Sequence, residues 1–151
     1  MVRPGSGGLT VQDAGTVILR GEWNGAGVRV DNADLRLGGE FTLADVQAID
    51  GEPGGIVIFG RLDLEGGALP IGQAWRVKGG ILTNGRLEDA SVFGDFSLVS
   101  LENMTVAAPL TLSSSVVILD DLILEADLRL DTNDGGKIEQ VNGGIVNVIG
   151  G

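Results

Sequence analysis

The chain contains no cysteine, no histidine and no tyrosine. Without Cys and His it has no thiolate or imidazole metal ligand, so an ordinary structural zinc site is excluded. The same absences exclude a cysteine nucleophile, a Ser-His-Asp triad and a disulfide framework. Positive charge is also scarce: 10 Lys and Arg stand against 21 Asp and Glu, a net charge of −11. Nucleic acid, whose phosphates attract Lys and Arg, is disfavoured as a partner, and so is an anionic membrane surface. Apolar runs are short, such as Ile56 to Phe59 and Val116 to Leu119. A membrane-spanning helix needs about 20 apolar residues, so no membrane insertion is expected. The start, Met1-Val2-Arg3-Pro4-Gly5-Ser6-Gly7-Gly8, has no apolar core of a signal peptide. The chain is therefore either cytoplasmic or an internal piece of a longer exported protein.

What is present is a beat. The 151 residues fit one domain and are 43% apolar, too apolar for a disordered chain. Apolar residues come in doublets separated by one residue: Met104/Val106, Leu110/Leu112, Val116/Ile118, Leu122/Leu124 and Leu128/Leu130. Residues i and i+2 of a strand share a face, so each doublet reads as a short strand. The doublets start six residues apart. Upstream the beat is less strict: Phe41/Leu43 follows Leu35/Leu37 six residues on, and the run Ile56/Ile58, Leu62/Leu64, Leu69/Ile71 and Trp75/Val77 has steps of six, seven and six. No window has the spacing of an amphipathic helix. Gly-Gly pairs at 7-8, 38-39, 54-55, 66-67, 79-80, 135-136, 143-144 and 150-151 punctuate the doublets, as corners require.

Strands this short are unlike those of a β-sandwich, which run to about 5–6 residues. A solenoid accounts for them: three strands make a coil, and successive coils pair in parallel. Met104 then lies under Leu122 and Leu110 under Leu128. Dividing the length by about 18 gives about eight coils, a rod of roughly 40 Å at the strand spacing of parallel sheets. Both inward positions are large and the step drifts. The expected fold is all-β, a single-stranded right-handed parallel β-helix of about 18–20 residues per coil. Residues 1–151 form one such segment, with an ordinary β-sandwich as the alternative.

Three segments carry a resemblance: Gly79-Gly80-Ile81-Leu82-Thr83-Asn84-Gly85-Arg86-Leu87, Asn103-Met104-Thr105-Val106 and Gly143-Gly144-Ile145-Val146-Asn147-Val148. They resemble the degenerate repeats of filamentous-haemagglutinin-like proteins and autotransporter passengers. The resemblance implies a fragment of a longer repetitive, exported bacterial surface protein, extracellular or cell-surface in location. It implies a non-catalytic structural or adhesive rod with a protein or host-surface partner. The C-terminal strand from Ile145 to Gly151 is apolar and ends without a charged turn. Uncapped coil ends expose strand edges, so end-to-end self-association is a further expectation. Two alternatives stay open: a polysaccharide-acting β-helix enzyme, and a bactofilin-like self-assembling cytoplasmic scaffold.

Several residues could carry chemistry. Asp120, Asp121, Glu125 and Asp127 fall at corners, with Asp120 expected near Glu102 and Asp121 near Asn103. Solvated corner acids that keep a rod soluble are the simpler reading. Asp131-Thr132-Asn133-Asp134-Gly135-Gly136 departs from an EF-hand loop, placing Gly135 at position 5 and Asn142 at position 12. Ser113-Ser114-Ser115 has no base to activate it. Asn103-Met104-Thr105 is a glycosylation sequon that matters only in a eukaryotic secretory chain. No catalytic, cofactor or metal residue is expected. A partner-binding surface is expected at Trp23, placed in a loop, and at Val117 and Ile123, whose middle positions point outward.

Overall fold

A computed structural model describes residues 8–68, 75–88, 93–97, 99–112, 116–130, 138–140 and 146–148. Leu69/Ile71, Ser113–Ser115, the Asp131–Gly136 loop and the C-terminal glycines lie outside these residues. The chain folds as a β-solenoid of about five turns with about 19 residues per turn. Every strand pairing is parallel, as a coil stacked on a coil requires.

Three lanes of strands run along the axis. In the first, β1 (Leu9–Gln12) pairs with β3 (Val28–Asp31), and a bridge from Arg29 to Asp50 extends the lane. The second stacks β2 (Thr16–Leu19), β4 (Asp34–Leu37), β6 (Gly55–Ile58), β8 (Trp75–Lys78) and β10 (Phe93–Ser97). The third stacks β5 (Glu40–Thr42), β7 (Arg61–Asp63), β9 (Ile81–Leu87), β11 (Val99–Val106), β13 (Val116–Ile118) and β16 (Ile138–Gln140). β9 and β11 are long because they run through a corner. Beyond it, β11 pairs with β14 (Leu122–Leu124), which pairs with β17 (Val146–Val148). A further pair joins β12 (Leu110–Leu112) to β15 (Leu128–Leu130).

The doublets form the interior. Phe41, Leu62, Leu82, Leu101 and Ile118 stack rung on rung and are all buried. Leu19, Leu37, Ile58 and Val77 form a second column. The six-residue beat placed Met104 against Leu122 and Leu110 against Leu128, and both pairings are present. The reckoning of eight coils is too high. Coils are uneven: Thr16 pairs with Asp34, 18 residues on, but Asp34 pairs with Gly55, 21 residues on.

One element was not expected. α1 (Leu43–Gln47) is a single helical turn that buries Leu43 and Val46. Thr42 caps it: its hydroxyl accepts from the Asp45 N–H at 3.2 Å, and the Asp45 carboxylate accepts from the Thr42 N–H at 2.8 Å. This reciprocal pair is a capping box, and it lengthens the coil. The turn fits because Gly25 of the preceding coil lies against it; a side chain at Gly25 would strike the Asp45 carbonyl and the Ile49 N–H.

Corners are held by polar ladders. Asn84 and Asn103 both adopt left-handed backbone, with φ of 55° and 51°, which Asn tolerates better than most residues. The Asn103 amide donates to Asn84 at 3.3 Å, and the Asn84 amide donates to Asp63 at 3.2 Å.

Candidate functional site

Outward side chains of the third lane are neutralised by a repeated device. Arg61 stands in register with Ile81 and then Ser100. Its guanidinium crosses two coils and donates twice to Glu102, at 2.8 and 2.7 Å. Glu102 lies two residues beyond Ser100. Arg86 repeats the plan. It is in register with Thr105 and then Ile123, and it donates to Glu125 at 2.8 Å, again two residues further on. Each guanidinium is held above its ordinary value, first by its hydrogen bonds to the paired glutamate. These arms clamp three coils at once. Thr83, between Asp63 and Glu102 in the register, points outward by strand parity yet is only 1% exposed. Its hydroxyl has no hydrogen-bond partner among the described residues.

In the second lane the same geometry has no glutamate. Arg36 stands in register with Val57 and then Arg76. Two residues beyond Arg76 is Lys78, where the third lane has its acid. Outward residues of this lane form a shallow concavity of about 360 Å³, lined by Ile18, Arg20, Asp34, Arg36, Val57, Phe59, Arg76 and Lys78. Four of the chain's ten basic residues meet here beside one carboxylate. Arg20, Arg36 and Arg76 make no ion pair with a described residue. Ile18 is 47% exposed, the most exposed large apolar side chain described. Phe59 lies back over Gly38, where any side chain would strike its ring. The Arg20 guanidinium sits over the ring, 5.6 Å from its centroid, a cation–π contact.

A second, smaller concavity of about 240 Å³ is lined by Glu40, Phe41, Thr42, Asp45, Arg61 and Asp63. It brings three carboxylates and an arginine together across two coils. Most of these groups already serve the fold. Arg61 is taken by Glu102, Asp45 by the helix cap, and Asp63 by the Glu65 N–H and Asn84. No group of three or more acidic residues placed to hold a metal occurs among the described residues.

The expected surface residues fare unequally. Trp23 is not a surface residue: it is 7% exposed, its indole N–H donates to the Gly38 carbonyl at 3.0 Å, and its ring meets Phe41 with centroids 4.8 Å apart. The loop folds the indole into the coil because an apolar ring with one donor is best satisfied against Phe41 and a free carbonyl. Val117 and Ile123 do point outward, flanking the inward Ile118 and Leu122, but both are half-buried. Ile123 shares a column with Arg86, which donates to Glu125 two residues beyond it. Asp121 stands beside Asn103 as expected, the Met104 N–H donating to the Asp121 carbonyl at 3.1 Å, whereas Asp120 falls out of step with Glu102. Leu101 pairs with Ile118, 17 residues on, while Met104 pairs with Leu122, 18 on. One extra residue therefore sits at that corner, and Glu102 faces Arg61. The basic face was missed altogether. Its members lie in coils of unequal length, so no fixed step aligns them.

No family model, no curated protein and no solved structure matches the chain. No helix among the described residues is long and apolar enough to cross a membrane.

Proposed function

We propose that the chain is a non-catalytic structural or adhesive rod segment of an exported bacterial surface protein, of the kind that filamentous-haemagglutinin-like proteins and autotransporter passengers build. The observation that carries this reading is the unbroken inward column from Phe41 through Leu62, Leu82 and Leu101 to Ile118. Each coil is bonded along both faces to the next, so bending the rod means breaking sheet and core together. Arg61–Glu102 and Arg86–Glu125 add clamps across three coils. The repeat-like segments around Gly79–Leu87 and Asn103–Val106 support an origin in a longer repetitive chain. The role is mechanical: a stiff spacer that holds its outer faces toward a partner. Antibody raised against the purified chain tests it on cells that make the protein. Labelling of intact cells supports an exported rod. Labelling only after permeabilisation overturns it and favours the cytoplasmic, self-assembling scaffold.

The enzyme alternative is favoured by one observation, the Glu40–Arg61–Asp63 concavity. Depolymerisation of an acidic polysaccharide by the purified chain, lost in Asp63→Asn, would establish it. An unchanged polymer would leave the concavity a consequence of the Arg61 clamp.

A further inference from the structure

We propose that the outer face of the second lane binds an acidic peptide segment in the polyproline II conformation, lying along the solenoid axis with a carboxylate at every third residue. The inference deepens the rod reading, since it supplies a partner for one face of the rod. Charge is the first argument. In a chain of net charge −11, the concavity of this lane is lined by Arg20, Arg36, Arg76 and Lys78 beside Asp34, and the three arginines make no ion pair with a described residue. Of the other arginines, Arg29, Arg61 and Arg86 each meet carboxylates of the chain itself. A guanidinium left without one is a fork for a carboxylate from elsewhere.

Spacing is the second argument. Along the axis the column reads Ile18, Arg36, Val57, Arg76, apolar and cationic in turn. Rungs of a parallel sheet are about 4.8 Å apart, so Arg36 and Arg76 are about 9.6 Å apart at the backbone. A polyproline II chain rises about 3.1 Å per residue with three residues per turn, which returns every third side chain to one face after about 9.3 Å. A β-strand returns a side chain to one face after about 6.8 or 13.6 Å, and neither matches. Ile18 and Val57 supply apolar surface for the residues between the acids.

The described aromatic side chains argue against a sugar ring as the occupant. Phe59 is covered by Arg20 and backed by Gly38, and Trp23 is buried. The face offers guanidinium and aliphatic surface rather than a bare aromatic platform.

The test is fluorescence anisotropy with a labelled peptide of Glu-Pro-Pro triplets, against a peptide of equal composition with its glutamates in one block. The triplet peptide is expected to bind at least about tenfold more tightly, with affinity falling as salt rises. The double substitution Arg36→Gln/Arg76→Gln is expected to weaken binding by about tenfold or more. Arg29→Gln, which touches a different lane, is expected to change nothing. Both arginines of the double variant are exposed, and an unchanged circular dichroism spectrum and urea midpoint would show that it is folded. The salt series on the unaltered chain tests the charge argument without any substitution. Equal binding of the block peptide, salt-independent binding, or full binding by the folded double variant overturns the proposal. So does displacement of the peptide by polygalacturonate at lower charge concentration, which would assign the face to a carbohydrate. None of these outcomes bears on whether intact cells are labelled, so the rod reading stands or falls separately.

Discussion

The second and third lanes are built from the same coils and the same inward aliphatics, yet their outer faces are electrostatic opposites. In the third lane an arginine at one rung meets a glutamate two rungs up and two residues on, twice over, as Arg61–Glu102 and Arg86–Glu125. In the second lane Arg36 has Arg76 two rungs up, and Lys78 stands where the glutamate would be. Net charge therefore says little about local potential on a solenoid. What matters is which residues the register brings to one face. An arginine with its acid in reach becomes a clamp, and an arginine without one becomes a surface for something anionic.

The comparison can be broken hardest through the core, which the two lanes share. Ile58→Ala and Leu62→Ala truncate fully buried side chains of β6 and β7 in one coil. Each is expected to cost about 2–5 kcal/mol in urea unfolding, with no preference between lanes. A large difference would mean that the lanes are not supported by one interior. Next comes the clamp. Glu102→Gln leaves a partly buried Arg61 with its carboxylate partner removed, and a loss of about 1–2 kcal/mol is expected. The gap between variant and parent should narrow as salt rises. Thr83→Val acts beside that clamp. It replaces a buried hydroxyl that lacks a described partner by a methyl of similar size. Stability is expected to rise by up to about 1 kcal/mol, and a loss would reveal a hydrogen bond to that hydroxyl.

Lys78→Glu would convert the second lane to the plan of the third. Given an acid two rungs up, Arg36 should gain about 0.5 kcal/mol of stabilisation at this exposed site, and binding of the Glu-Pro-Pro peptide should fall. The smallest effect belongs to the first lane. The Asp31 carboxyl is held below its ordinary 3.8, first by the Glu52 backbone N–H and then by the Arg29 side chain. A carboxyl lowered by folding stabilises above its unfolded value, and that contribution is lost as pH falls through the folded value. Asp31→Asn should therefore be slightly less stable than the parent near neutrality, with the urea midpoints converging below pH ~4.

Legibility in the sequence followed locality. The doublets named the interior because alternation is a property of neighbours along the chain. Leu35, Leu37, Phe41, Leu43, Ile56, Ile58, Leu62 and Leu64 are all buried as the beat requires. The turn of helix at Leu43 was also local. Thr42 and Asp45 carry the spacing of a capping box, a signal present but unread beneath the stronger two-residue alternation. Trp23 was misplaced because a loop residue's burial depends on which coil it folds against, here Phe41 of the next one. Arg61 and Glu102 are 41 residues apart, and Arg36 and Lys78 are 42. Pairing them needs the length of two consecutive coils, and those lengths vary.

The sequence by itself determined that this chain stacks short strands around an aliphatic interior. Side-chain parity along a strand is fixed by the backbone pleat, whatever lies above or below. Only the tertiary structure decided which charges meet. Successive turns of unequal length set the register between coils, and that register made one face of the rod a row of closed clamps and the face beside it a cationic strip.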